Sequence, residues 1–314
     1  MPETLNIAHR GGAGLMPENT LAAFEAAVAR GCDGAELDVQ LSRDGAVVVF
    51  HDYRLKPEIT RLDGVWLDRP TPRIKDLTLA ELRRYDVGRC DAASSYARKH
   101  PEVRAADGER IPTLADVAAI AKSATQDFWL QVELKTSFSH REESADPEAL
   151  AQAAVSVLRE AGYLERTIFV GFDWPALLHA KKLAPHTPCW FTTLAQSWFE
   201  NGTPPPEDDP PSDAALMALR HWAETATSPW AAGYDAVNHG GSIRRAIKAA
   251  GGEGWFPPYR DIDPPRVGEA RALGLKVGAW TVDRADDMRR MLDCGLDAIC
   301  TDRPDILQEI LTQG

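Results

Sequence analysis

The sequence predicts an α/β protein of the (β/α)₈ TIM-barrel type, with a hairpin arm after the second strand and two insertions. Three observations carry this reading. Short apolar runs alternate with helical patterns through most of the 314 residues; two neighbouring runs are joined too tightly to be parallel; and eight runs remain once the return arm of that pair is set aside. The runs fall at residues 5–9, 34–39, 47–51, 128–135, 167–172, 188–193, 235–239, 275–281 and 298–301. Helical patterns follow most of them, at 21–30 (stopped by Gly31), 147–160 (stopped near Gly162) and 285–293 (stopped near Gly295), among others.

The runs at 34–39 and 47–51 are separated only by residues 40–46, which include Ser42-Arg43-Asp44-Gly45. A parallel crossover needs about a dozen residues or more, so this pair is expected to be an antiparallel hairpin. With the turn centred near Arg43-Asp44, Glu36 would lie across from His51 and Asp38 from Val49. The hairpin would then deliver His51 to Glu36. Residues 53–112 read as a polar insertion with one short helical pattern at 79–85. Residues 195–233 read as a second, holding a stiff proline-rich stretch at 202–211. No internal repeat is visible, and residues 1–314 read as a single domain.

A chain of this length buries roughly 75% of its unfolded surface, so the core needs no disulfides. The net charge of −12 disfavours nucleic acid and anionic membranes as partners. It also repels phosphate, so a phosphate-handling site here needs local positive charge. The cysteines, Cys32, Cys90, Cys189, Cys294 and Cys300, are odd in number and have no CxxC spacing, which points to a reduced compartment rather than to disulfides or zinc. The N-terminus shows no signal peptide and no apolar run approaches the roughly 20 residues that span a bilayer. A cytoplasmic protein without a stable membrane anchor is expected, or a periplasmic one if a signal peptide has been removed.

Alternate residues of a barrel strand face the interior. Glu36 and Asp38 therefore point the same way, as do Glu133 and Lys135, while Leu130, Val132 and Leu134 take the other face. His9 ends the first run, followed by Arg10-Gly11-Gly12, and His51-Asp52 ends the hairpin arm. Active sites of such barrels lie at the carboxyl ends of the strands. Three carboxylates converging there repel one another unless a divalent cation neutralises them, and oxygen-only ligands favour Mg²⁺ or Ca²⁺, with Mn²⁺ also compatible. Taken singly, each residue has a plain reading: a rim ion pair for Glu36 and Asp38, a satisfied core histidine for His9, a lysine reaching out to solvent for Lys135, packing for Trp280. It is their combination that points to chemistry. His239 ends another run, as a substrate contact or as a bystander.

The same residues carry a family resemblance. His9-Arg10-Gly11-Gly12, Pro17-Glu18-Asn19-Thr20, Ala35-Glu36-Leu37-Asp38-Val39, Asp44-Gly45 and Val48-Val49-Phe50-His51-Asp52 resemble the N-terminal signature of glycerophosphodiester phosphodiesterases. Val132-Glu133-Leu134-Lys135 is similar to the family's second motif, and Ala279-Trp280-Thr281-Val282 and residues 297–305 are similar to its C-terminal strands. The resemblance spans nearly the whole chain and departs at Leu55-Lys56-Pro57-Glu58. It implies metal-dependent hydrolysis of a small-molecule glycerophosphodiester to glycerol 3-phosphate and an alcohol. Glu36, Asp38 and Glu133 would hold the metal, and His9 and His51 would act as acid and base in an order left open. Arg10 and Lys135 would contact phosphate, Glu18 would support the histidine–arginine cluster, and Trp280 would line the glycerol side. It further implies attack by the substrate's own 2-hydroxyl through a cyclic phosphate, with direct attack by water as the alternative. Two competing readings use the same barrel. One is a lysophospholipase D-like enzyme whose apolar groove is lined by Trp198, Phe199, Trp222 and Trp230; the other is a non-catalytic metal- or ligand-binding barrel. The head group and the oligomeric state stay open.

Overall fold

A computed structural model describes residues 4–195 and 230–313. Eight parallel strands close into a barrel: β1 (Leu5–Ala8), β2 (Gly34–Leu41), β7 (Trp129–Leu134), β8 (Thr167–Gly171), β9 (Cys189–Thr192), β10 (Gly254–Phe256), β11 (Lys276–Ala279) and β12 (Ala298–Thr301). The sheet runs from β1 through β12 back down to β7 and β2, and β2 closes it on β1. Strand β3 (Val47–Val49) pairs antiparallel with β2. The hairpin thus forms, but its register pairs Val39 with Val49, one residue away from the expected alignment, and the ladder ends before His51.

Parity sorts the core. Ala35, Leu37 and Val39 of β2 and Leu130, Val132 and Leu134 of β7 face the surrounding helices and join one large buried cluster. Ile7, Ile168, Val170, Trp190, Phe256, Ala298 and Cys300 fill the barrel interior. The helices earn their places by spacing and caps. In Pro147–Glu160 the buried Leu150, Ala151, Ala154, Val155 and Leu158 form one stripe, and the Asp146 carboxylate accepts the backbone N–H groups of Glu148 and Ala149. In Leu21–Arg30, Thr20 caps the start, Gly31 ends the helix at φ 80°, and Ala23, Phe24 and Ala27 are buried.

One expected strand is corrected. Residues 236–239 form a 3₁₀ turn, Ala236–His239, that bonds the His239 Nδ1 to the Asp235 carbonyl, and the barrel strand is Gly254–Phe256 instead. Three residues beginning with glycine give little periodic signal. The glycine is required by packing: a Cβ on Gly254 would fall 2.4 Å from Cγ of Trp190 inside the barrel. Gly254→Ala should therefore destabilise the fold by about 1–3 kcal/mol. A urea midpoint equal to that of the wild type would show that Trp190 yields freely.

The 53–112 insertion holds more structure than its one helical pattern suggests. Three two-residue strands, β4 (Arg61–Leu62), β5 (Val65–Trp66) and β6 (Tyr85–Asp86), form a small sheet, and helices cover Leu79–Leu82 and Ser95–Lys99. Leu55, Ile59, Ile74, Leu82, Val87 and Ile111 pack with Val48 and Phe50 of the hairpin arm in a separate buried cluster. The segment leaves the arm after His51 and returns to it: Val49 N–H donates to the Pro112 carbonyl at 2.9 Å, and Val48 bridges Thr113. Of the second insertion, residues 196–229 lie outside the described residues, and with them Trp198, Phe199 and Trp222. Trp230 is 5% exposed and packs on Phe138 within the core, so it does not line a groove. Among the described residues no helix is long and apolar enough to cross a membrane.

Candidate active site at the carboxyl ends of the strands

The site starts with an abrupt turn. After His9 the backbone of Arg10 (φ 50°), Gly11 (φ 83°) and Gly12 (φ 98°) enters the left-handed region. At Gly11 a Cβ would also meet that of Ala23 at 2.7 Å, so the glycine is fixed by both conformation and space. Arg10 tolerates this rare conformation because it is tied at both ends. Its backbone N–H donates to Glu36 Oε2 at 3.1 Å, and its Nη1 donates to both Glu18 oxygens at 3.0 and 3.1 Å. Its Nε lies 3.4 Å from Asp38 Oδ2.

Glu36, Asp38 and Glu133 do converge: one oxygen from each lies within 4.8 Å of the others. Strand register explains it, because Asp38 sits beside Glu133 and Glu36 beside Gln131 on neighbouring parallel strands, all facing inward. Glu36 and Asp38 are 2% and 1% exposed. Lys135 Nζ lies 2.9 Å from Glu133 and 3.6 Å from Asp38. His9 Nε2 stands 3.8 Å from Glu36 Oε2. The charge of His51 favours the ionised forms of Asp38 and Glu18.

The electrostatics are uneven. Burial, and then the neighbouring Asp38, push Glu36 up to about 8. Burial would raise Asp38 too, but His51, Lys135 and Arg10 outweigh it and hold that carboxyl well below the usual range. Burial disfavours charge on Lys135 and on His9. Glu133 and Asp38 keep Lys135 firmly protonated, and Asp302, aided by Glu36 and opposed by Arg10, lifts His9 to about 9. The protein alone thus leaves one member of the acidic trio short of positive charge. A divalent cation would supply it, and an all-oxygen donor set suits a hard one. The residues present fit such an ion.

Several supporting groups escaped the sequence reading. Asp302 holds His9 Nδ1 at 2.6 Å, and Asp283 in turn accepts the Asp302 backbone N–H at 2.9 Å. Asn19, left-handed at φ 56°, donates its amide to Asp38 Oδ2 at 2.9 Å. Tyr96, from the first insertion, donates its hydroxyl to Glu18 at 2.7 Å. Asn19 of Pro17-Glu18-Asn19-Thr20 and the aspartate in Thr301-Asp302-Arg303-Pro304 were visible as residues; their targets were not. Trp280 stands at the barrel rim, its Nε1 bonded to the Phe256 carbonyl at 3.1 Å and its ring edge-on to Phe172. His239 is occupied by its own turn. His9 and Arg10 border a cavity of about 300 Å³, whose walls also include Glu18, Lys56, Tyr96 and His100.

The chain is similar to known proteins over its whole length. A glycerophosphodiester phosphodiesterase of Caldanaerobacter subterraneus is 30% identical over 315 residues, covering 99% of both chains. A solved structure from Silicibacter pomeroyi, assigned to the glycerophosphoryl diester phosphodiesterases, superposes with a TM-score of 0.81 at 30% identity, covering 100% of this chain and 95% of its own. An Oleispira antarctica phosphodiesterase, solved with its product sn-glycerol-3-phosphate, gives 0.67 at 25% identity, covering 100% and 98%. The sequence profile of the "Glycerophosphoryl diester phosphodiesterase family" matches residues 9–306. The chain belongs to the glycerophosphoryl diester phosphodiesterase family and is, with it, a phosphoric diester hydrolase on a (β/α)₈ barrel.

Proposed function

We propose that this single-domain barrel (residues 1–314) hydrolyses glycerophosphodiesters to glycerol 3-phosphate and an alcohol, with Glu36, Asp38 and Glu133 holding a divalent cation, Mg²⁺ or Ca²⁺. The observation that carries the reading is the convergence of these three oxygens within 4.8 Å beside two histidines and two cationic side chains. The cation, once bound, supplies Lewis acidity to a non-bridging phosphate oxygen. The remaining work falls to the chain. Arg10, braced by Glu18, and Lys135, braced by Glu133, stabilise charge developing on the phosphoryl group. His9 presents Nε2 to the site because Asp302 occupies Nδ1, and exchanges a proton there. His51 serves as the second proton carrier from the hairpin side, and Trp280 lines the glycerol end. Sn-glycerol-3-phosphate in the Oleispira phosphodiesterase supports the same product here. Five unpaired cysteines support a reducing, cytoplasmic setting.

The test is direct. Glycerophosphocholine, glycerophosphoethanolamine and glycerophosphoglycerol are incubated with the protein, with and without EDTA, and glycerol 3-phosphate and free alcohol are measured. Turnover of at least one diester, abolished by EDTA and restored by Mg²⁺ or Ca²⁺, is expected. Full turnover in a metal-free preparation would refute the metal assignment, and apolar lysophospholipids as the sole substrates would favour the lysophospholipase D reading.

A further inference from the structure

Gln131 lies in the middle of β7, wholly buried, and neither its amide nitrogen nor its amide oxygen has a hydrogen-bond partner among the described residues. Its neighbours Leu130 and Val132 join the outer core, so Gln131 points into the barrel. There it stands beside Glu36 on one adjacent strand and beside Ile168 on the other. Glu133 is two residues further along the same face. An uncapped amide in an apolar interior costs stability that a thioether of the same length would not. Its placement immediately under the carboxylate layer gives it a use.

We propose that Gln131 is a positioning residue for the acidic cluster: its amide, through one buried water, donates to the Glu36 carboxylate from below and fixes the angle at which that group faces the cation. Among the described residues, the contacts that steer the Glu36 carboxylate come from the rim, from the Arg10 backbone N–H and His9. A second donor from beneath would hold both oxygens. Groups that orient a metal-binding carboxylate in this way typically change cation affinity by about 10–100-fold when removed.

This inference rests on the reading of Glu36, Asp38 and Glu133 as cation ligands, and the experiment separates the two. Mn²⁺ binding to the full chain is titrated by calorimetry for the wild type, Glu36→Gln, Gln131→Met and Gln131→Leu, and urea midpoints are measured in EDTA. The expected result is that Glu36→Gln loses binding and that Gln131→Met binds Mn²⁺ about 10–100-fold more weakly while its midpoint in EDTA is equal or higher. Gln131→Leu serves the same purpose should the Met variant fold poorly. Binding abolished by Glu36→Gln but within twofold of wild type in the folded Gln131 variants would overturn the positioning role alone. Binding indifferent to Glu36→Gln, or absent in the wild type, would overturn both readings.

Discussion

His9→Ala and His51→Ala should each lower kcat by about 10²–10⁴, the usual contribution of a placed general acid or base. Cation affinity should remain largely intact, since neither ring belongs to the carboxylate trio. The two variants should also differ. His9 is held by Asp302 at 2.6 Å, so His9→Ala leaves a half-buried carboxylate without its cation and should lower stability as well. His51 is more exposed and its ion-pair contact, to Asp52, is longer at 3.5 Å, so His51→Ala should lower the unfolding midpoint less than His9→Ala. Steady-state kinetics together with urea denaturation checks both statements. A near-normal kcat in either variant would make that histidine structural.

A 2-deoxy glycerophosphodiester should bind and turn over slower by three orders of magnitude or more. An attached hydroxyl next to the phosphate ester is already positioned, and effective molarities of about 10⁵–10⁸ M measure what free water lacks. With Arg10 and Lys135 in their proposed roles, both substrates would meet the same phosphate contacts, so KM should change little while kcat falls. The cyclic phosphate of glycerol should itself be hydrolysed. Product analysis by phosphorus NMR distinguishes the outcomes: equal kcat for the two diesters would remove the intramolecular step and leave attack by water.

Much of the barrel was legible because strands buried on both faces read as continuous apolar runs, and charged residues inside them stand out. Glu36, Asp38, Glu133 and Lys135 could be placed by parity alone, since the side-chain period of two does not depend on partners. What failed depended on partners. A three-residue strand opens on Gly254 because Trp190 takes the space of a Cβ there, and residues 235–239 imitate a strand while folding into a turn. The hairpin register hinged on a turn geometry that a one-residue shift changes. Asp302 lies 293 positions from His9 along the chain, so no local pattern could pair them. Tyr96 sat in a segment whose polar sequence gave no hint of a cluster of its own.

The first insertion departs from the hairpin arm and comes back to it within a hydrogen bond's length, at Pro112. The barrel therefore experiences it as a closed lobe whose footprint is fixed whatever it contains. Loop-closure entropy grows only logarithmically, with each doubling of length costing about 0.6 kcal/mol. Outside its buried cluster and Tyr96, residues can be gained, lost or rewritten within the lobe at small cost to the strands that hold the carboxylates. The rim beside the site can thus change through the lobe while the strands that carry Glu36, Asp38 and Glu133 keep their register.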